Sequence, residues 1–152
     1  MFDKKDQPIE AVTIKEIPNL DSIELLFFAY RDFVADPDKV LVEMGFGRAH
    51  HRVLYFVSTR PGMTVAELLD ILKITKQSLA RVLRQLLDSK LVVQIAGERD
   101  RRKRLLYVSD EGRALLLQLS NPQSKRMDRA FSALDEHERD VVLRFLKGMI
   151  SE

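Results

Sequence analysis

The sequence contains no cysteine, which excludes a disulfide framework, a thiolate metal site and a thiol redox switch. It has no apolar run approaching the roughly 20 residues that cross a bilayer, and its charged start lacks the apolar stretch of a signal peptide. We therefore expect a protein that remains in the cytoplasm and has no membrane partner.

Motifs of catalysis are also missing. The sequence shows no glycine-rich phosphate loop, nucleophile elbow, paired-carboxylate motif or cluster of metal ligands. His50 and His51 are adjacent, and neighbouring residues on a helix point about 100° apart, so they cannot easily chelate one ion from the same face. We expect no enzymatic activity, no metal site and no other cofactor.

The 152 residues are enough for one domain with a hydrophobic core, and 45% of them are apolar. Residues 1–20 contain Pro8 and Pro18 and show no sustained period, so we expect a mobile arm there. Residues 21–152 are then expected to form a single domain.

Charge is distributed unevenly along the chain. Residues 60–104 hold 11 Lys and Arg against 5 Asp and Glu, a net charge of +6, whereas the remainder holds 14 against 18, a net charge of −4. Such asymmetry is typical of a protein in which one part faces a polyanion. A solvated charged surface is the alternative if no motif accompanies the basic residues.

Helical spacing dominates the regions on either side of the basic segment. Apolar residues from Ile23 to Val34 predict an amphipathic first helix with a bulky face. Asp36 and Pro37 predict the cap and first turn of a short second helix. A third helix is expected from Arg48 to Ser58.

The C-terminal part predicts two further helices. Ser109 is a candidate cap for the first, and Asn121-Pro122 is expected to kink or divide that helix. Asp135 and Glu138 match a capping box at the start of the last helix.

Two short helices and a hairpin are predicted within the basic segment. Thr64 and Glu67 match a capping box, and Thr75 is a candidate cap for a second helix that runs to about Ser89. A β-branched run at residues 91–95 and a returning strand at residues 105–108 predict a hairpin whose connection has five cations among the six residues 99–104.

This order of helix, short turn, helix and basic hairpin is the outline of a winged helix-turn-helix. The major groove of B-form DNA admits one α-helix, and Arg, Lys, Gln and Ser side chains match the donors and acceptors of its base edges. A cationic loop can follow phosphates or place a guanidinium in a narrow minor groove. The candidate DNA-binding residues are Thr75, Lys76, Gln77, Ser78, Arg81, Arg84, Arg99, Arg101, Arg102 and Arg104.

Several strings of the sequence resemble the MarR family of bacterial transcription factors. They are residues 48–57, residues 61–69, residues 74–79 and the wing motif from Asp100 to Arg102. The resemblance implies a mainly α-helical fold with a small β-hairpin wing, with the winged helix-turn-helix over about residues 47–109. It also implies dimerisation helices at about 21–34 and 110–150.

The resemblance assigns roles to individual positions as well. Residues 75–89 would be the recognition helix, Asp100 would pair with a nearby arginine, and Arg101 or Arg102 would enter the minor groove. Family members often bind small aromatic or anionic effectors between the dimerisation helices and the winged domain. This implies a candidate effector pocket at His50, Arg52 and Tyr55.

We therefore expect a dimeric, sequence-specific DNA-binding regulator that reads a pseudo-palindromic operator in double-stranded DNA and responds to a small-molecule effector. The alternative is a winged-helix interaction module that holds a signalling or transcription protein. The basic wing favours DNA, and a lack of sequence-selective DNA binding would favour the alternative.

Overall fold

A computed structural model describes residues 10–151. The first nine residues of the predicted arm lie outside the described residues. Residues 14–19 form turns, and the Thr13 backbone N–H donates to a Glu16 carboxylate oxygen at 2.9 Å. The chain divides into two compact units between Phe33 and Val34.

The first unit contains most of helix α1, Leu20–Ala35. None of the residues of α1 is buried, although the helix is rich in large apolar side chains. The exposed ones are Ile23, Leu25, Leu26, Phe27, Phe28 and Tyr30.

The second unit contains the remaining helices and a small sheet. The helices are α2 Asp38–Glu43, α3 Arg48–Thr59, α4 Val65–Leu72, α5 Lys76–Asp88, α6 Asp110–Phe131 and α7 Glu136–Met149. The strands are β1 Met63–Thr64, β2 Val92–Ala96 and β3 Arg104–Val108. Within residues 10–151, no helix is long and apolar enough to span a bilayer.

The sheet is antiparallel, with β3 between β1 and β2. Val92 pairs with Val108 and Ala96 pairs with Arg104, which sets the hairpin register, while Met63 pairs with Leu106 on the other edge. The predicted hairpin is confirmed, and β1 extends it to three strands. The core beneath it combines α2 to α6 and the sheet through side chains such as Leu54, Leu68 and Leu119.

Of the two outcomes expected at Asn121-Pro122, division does not occur, because helix α6 continues through Pro122. The loss of one backbone donor is tolerated in a helix that buries Leu115 and Leu119. The prediction of a helix cap at Asp36 is wrong. Asp36 does not cap α2, which is preceded by Pro37. Instead, the Asp36 carboxylate accepts two hydrogen bonds from the Arg126 guanidinium, at 2.7 and 2.8 Å.

Candidate nucleic-acid interface

Helices α4 and α5 begin at side-chain caps that fix their first turns. At α4, the Thr64 hydroxyl accepts from the Glu67 backbone N–H at 3.2 Å, and the Glu67 carboxylate accepts from the Thr64 N–H at 3.1 Å. At α5, the Thr75 hydroxyl accepts from the Ser78 N–H at 3.1 Å. Between them Lys73 is left-handed, with φ of 51°, and ends α4. The chain thereby reverses within three residues and forms a helix-turn-helix.

Helix α5 is strongly amphipathic. Leu79, Val82, Leu83 and Leu86 are buried in the core. Lys76, Gln77, Arg81 and Arg84 are exposed on the other side. A shallow groove of about 400 Å³ runs along that side and is lined by Gln77, Ser78, Ala80, Arg81 and Arg84. The exposed face therefore presents amide, hydroxyl and guanidinium groups to a partner.

Two of the predicted DNA-binding side chains already have a structural task. Thr75 caps α5, and its hydroxyl also donates to the Ser78 hydroxyl oxygen at 2.9 Å. Ser78 is half-buried. These two hydroxyls can still contact a phosphate at the helix start, but their position is fixed by the cap.

The wing loop, residues 97–103, is closed by its own backbone. The Gly97 N–H donates to the Lys103 carbonyl at 2.9 Å, and the Lys103 N–H donates to the Asp100 carbonyl at 3.1 Å. A Cβ at Gly97 would lie 2.7 Å from the Asp100 carbonyl oxygen, so the turn requires glycine. Residues 98–104 are all exposed.

Asp100 orients the wing through the backbone. Its carboxylate accepts from the Arg102 backbone N–H at 3.0 Å, which is an Asx-type turn. The contact expected from the family resemblance was with an arginine side chain, whereas the observed partner is a backbone amide. Asp100 thus shapes the loop that carries Arg101 and Arg102.

The cations of α5 and the wing are available for a polyanion. Within residues 10–151, none of them forms an ion pair with a carboxylate. The arginines that do form ion pairs within residues 10–151 are Arg31, Arg48 and Arg126, and all three lie outside the basic segment, residues 60–104. Unpaired, exposed guanidinium and ammonium groups can neutralise phosphates without first breaking an internal contact.

The structure separates the three residues of the candidate effector pocket. His50 is only 5% exposed and points into the protein, whereas Arg52 and Tyr55 are exposed. Residues two apart on a helix lie about 200° apart, which explains the division between His50 and Arg52. Tyr55 packs edge-on against Phe56, with ring centroids 5.1 Å apart.

Both neighbouring histidines are buried, and each contacts a different helix. The His50 Nε2 lies 2.6 Å from the Gln85 Oε1 on α5, and the His51 Nε2 lies 3.4 Å from the Ser120 Oγ on α6. Burial lowers the pKa of His51 because the charged form loses its hydration. Sequence reasoning missed Gln85, which lies at the boundary between the polar and apolar faces of α5.

A capped helix-turn-helix with an exposed polar second helix, followed by a basic antiparallel wing, defines the class of winged helix-turn-helix proteins. The comparisons with known proteins specify the family. Residues 44–103 match the model of the MarR family. The HTH-type transcriptional regulator PetP of Rhodobacter capsulatus is 49% identical over 111 residues, which are 73% of this chain and 67% of that protein.

Solved structures show the same fold. A MarR-family transcriptional regulator from Silicibacter pomeroyi is similar with a TM-score of 0.73 and 22% identity, over 90% of each chain. The transcriptional repressor CouR, solved with a 23-mer DNA duplex, is similar with a TM-score of 0.68 and 24% identity, over 92% of this chain and 99% of CouR.

The chain belongs to the MarR family, as the identity and coverage of PetP establish. It is a transcriptional regulator of the MarR type, and the family is one of DNA-binding regulators rather than of enzymes.

Proposed function

We propose that the protein works as a homodimer that reads a pseudo-palindromic operator, with one recognition helix α5 entering the major groove at each half-site. The observation that carries this proposal is the exposed face of α5, whose Gln77, Arg81 and Arg84 are matched to base edges and phosphates. The wing, with Arg101 and Arg102 at its tip, then contacts the minor groove or the phosphates beside it.

Dimerisation is supported by apolar surface that a protomer leaves uncovered. Helix α7 buries none of its residues, and neither does α1. The exposed apolar side chains of α7 and its C-cap are Val141, Phe145, Leu146, Met149 and Ile150. Large apolar side chains that stay exposed along one helix are typical of a protein interface. The winged unit, at about residues 47–109, is in this proposal flanked by dimerisation helices at about 21–34 and 110–150.

The test is selection of genomic DNA fragments by the purified full-length protein at two salt concentrations, with sequencing of the retained fragments. We expect a pseudo-palindrome with half-sites about one helical turn apart, enriched at the higher salt. Binding without sequence preference that disappears at the higher salt would contradict the proposal and favour the protein-interaction module.

A matched pair of variants tests whether the wing contacts DNA. Arg102→Ala is expected to weaken binding to all sequences and to reduce the salt dependence by about one phosphate contact. Lys39→Ala removes an exposed cation of α2, outside the basic segment, and is expected to leave both quantities unchanged. Equal effects of the two variants would contradict the assignment of the wing.

The effector pocket is proposed with a narrower set of residues. Arg52 and Tyr55 are accessible to a small aromatic acid on the exposed side of α3. His50 is buried and would not contact such a ligand at the surface. Titration of salicylate into the protein–operator complex is the test. Release of DNA by the wild type but not by Arg52→Ala would support the pocket, and equal release would contradict it.

A regulator of this kind acts on chromosomal DNA, so we propose a cytoplasmic location.

A further inference from the structure

His50 lies in the first turn of α3, and both of its ring nitrogens make hydrogen bonds. The Gly47 backbone N–H donates to the Nδ1 at 3.0 Å, so the Nδ1 carries a lone pair. The proton of the neutral ring therefore resides on the Nε2, which donates it to the Gln85 Oε1 at 2.6 Å. One hydrogen bond caps α3, and the other crosses to α5.

The ring of His50 is also held across its face. It stacks on Phe46, with ring centroids 4.5 Å apart and an interplanar angle of 14°. Contacts at Nδ1, at Nε2 and on the ring face come from three different directions, so the imidazole has little freedom to rotate. The position of the His50 Nε2 relative to α3 is therefore well defined.

The contacted residue, Gln85, lies at the edge of the proposed DNA-reading face of α5. Gln85 is half-buried and follows Arg81 by four positions, and residues four apart share one side of a helix. The buried leucines of α5 hold the helix against the core through apolar contacts, which are not directional. A hydrogen bond requires a defined direction. The bond from His50 therefore adds a directional constraint on the rotation of α5 about its axis.

We propose that His50 is a positioning residue for DNA recognition, which sets the rotation of α5 through Gln85 and thereby the preference for operator over other DNA. The inference rests on the proposed function of α5. Side chains that recognise a ligand must be held to within about 0.5 Å and 10–20° of the productive geometry. Release of α5 from His50 is expected to disturb base contacts, which depend on angle, more than phosphate contacts.

His51 provides a matched control in the adjacent position. It is also buried, at 8% exposure, and its Nε2 contacts a polar side chain on another helix. That helix is α6, whose Ser120 belongs to no part of the candidate DNA interface. Loss of the His51 contact should therefore affect stability without affecting the choice of DNA sequence.

The experiment uses variants that separate the two bonds of His50. In His50→Asn the amide oxygen can take the place of Nδ1 and keep the cap to Gly47, but no donor reaches Gln85. In His50→Gln the amide nitrogen can take the place of Nε2 and keep the donor. Gln85→Met removes the acceptor from the partly exposed α5 position at similar length, so it remains informative if a substitution of the buried His50 does not fold.

Affinities for the selected operator and for a random duplex of equal length are measured for each variant, together with the unfolding midpoint. His50→Asn and Gln85→Met are each expected to lower the operator-to-random affinity ratio about fivefold or more, an effect of the size of one lost hydrogen bond or base contact. The variant that combines His50→Asn with Gln85→Met is expected to lower this affinity ratio by no more than either single substitution does. His50→Gln should stay within about twofold of the wild type, and His51→Asn should leave the ratio unchanged.

The outcomes separate this inference from the proposed function. A wild-type protein with no preference for any operator would overturn the proposed function and the role of His50 with it. A normal wild-type preference that survives His50→Asn and Gln85→Met would overturn the role of His50 alone, as would strictly additive losses or an equal loss in His51→Asn. The ring ¹⁵N shifts of His50 should show the Nε2-protonated tautomer in the wild type, and the opposite tautomer would also overturn it.

Discussion

Helices α5 and α7 have nearly the same length, 13 and 14 residues, and both are amphipathic. Helix α5 buries four side chains in the core of its own chain, whereas α7 buries none. The winged unit therefore buries an apolar core within one protomer, whereas the apolar face of α7 stays exposed there. If α5 binds DNA and α7 forms the dimer interface, as proposed, substitutions on the two helices should have different effects.

The largest expected effect comes from a charge placed on the apolar face of α7. Phe145 is 60% exposed within the protomer, so Phe145→Glu should leave the protomer folded but bury an unpaired charge in the dimer. We expect dissociation into monomers and a loss of operator affinity of about a thousandfold, because two half-sites can no longer be bound together. Sedimentation equilibrium and operator titration measure the two changes.

The control for that variant is Asp140→Lys, which changes charge on the opposite side of the same helix. It should leave the dimer intact. If Phe145→Glu remained dimeric with unchanged affinity, the apolar face of α7 would not be the interface.

The next largest effect is expected where α6 packs against the winged unit. Gly112 lies in the first turn of α6, where an added Cβ would overlap the Leu91 carbonyl oxygen. Gly112→Ala should lower the free energy of unfolding by about 2–3 kcal/mol, because backbone must shift to relieve the overlap. Gly148→Ala is the control on α7, where a Cβ meets no atom within 4 Å. Denaturant unfolding compares them, and equal midpoints would contradict the close packing at Gly112.

A smaller effect is expected on the α5 surface. Arg81→Ala should lower operator affinity about tenfold and change sequence preference at one position of each half-site, since one base contact contributes about 1–3 kcal/mol. Because Arg81 is exposed and contributes nothing to the core, the unfolding midpoint should not change. A uniform loss on all sequences would instead assign Arg81 to a phosphate.

The smallest effect concerns Asp36 and Arg126, which join the start of α2 to α6. Hydrogen bonds from Arg126 lower the pKa of Asp36 below its ordinary value of 3.8. A lowered pKa in the folded state stabilises the protein above pH 3.8, and this contribution disappears as the pH falls through the folded-state value. Asp36→Asn should therefore cost less than about 1 kcal/mol at pH 7, and the cost should shrink as the pH falls below 3.8.

Acid titration of unfolding stability for the wild type and Asp36→Asn checks this expectation. Asp38→Asn is the comparison, because the Asp38 side chain is 39% exposed against 18% for Asp36, although both carboxylates are paired with arginine. A difference between the wild type and Asp36→Asn that stayed constant with pH would show that the ion pair is not its cause.

The features that the sequence could predict are the local ones. The caps at Thr64, Thr75 and Asp135 are confirmed because each side chain bonds a backbone amide three residues away. The buried and exposed sides of α5 follow from its period, so the candidate DNA-binding face could be predicted in outline. Which of its side chains contact which base is a prediction still to be tested.

Features that depend on distant residues were not predictable. Strand β1 has only two residues, too few for a period, and it exists because Met63 and Thr64 pair with strand β3. The partner of Asp36 lies 90 positions away, and that of His50 lies 35 positions away. Asp36 matches a cap motif in the sequence, but in the folded chain its carboxylate bonds the Arg126 guanidinium instead.

The wing loop has a consequence for the entropy of DNA binding. Three hydrogen bonds between Gly97 and Lys103, one of them made by the Asp100 side chain, already hold the backbone. Ordering a free loop costs about 1–2 kcal/mol per residue, and a preorganised loop avoids most of that cost on association. The Asp100 carboxylate reduces the attraction of the wing cations for phosphate, but it also helps to hold the loop in place, so the cations bind without a further loss of backbone conformational freedom.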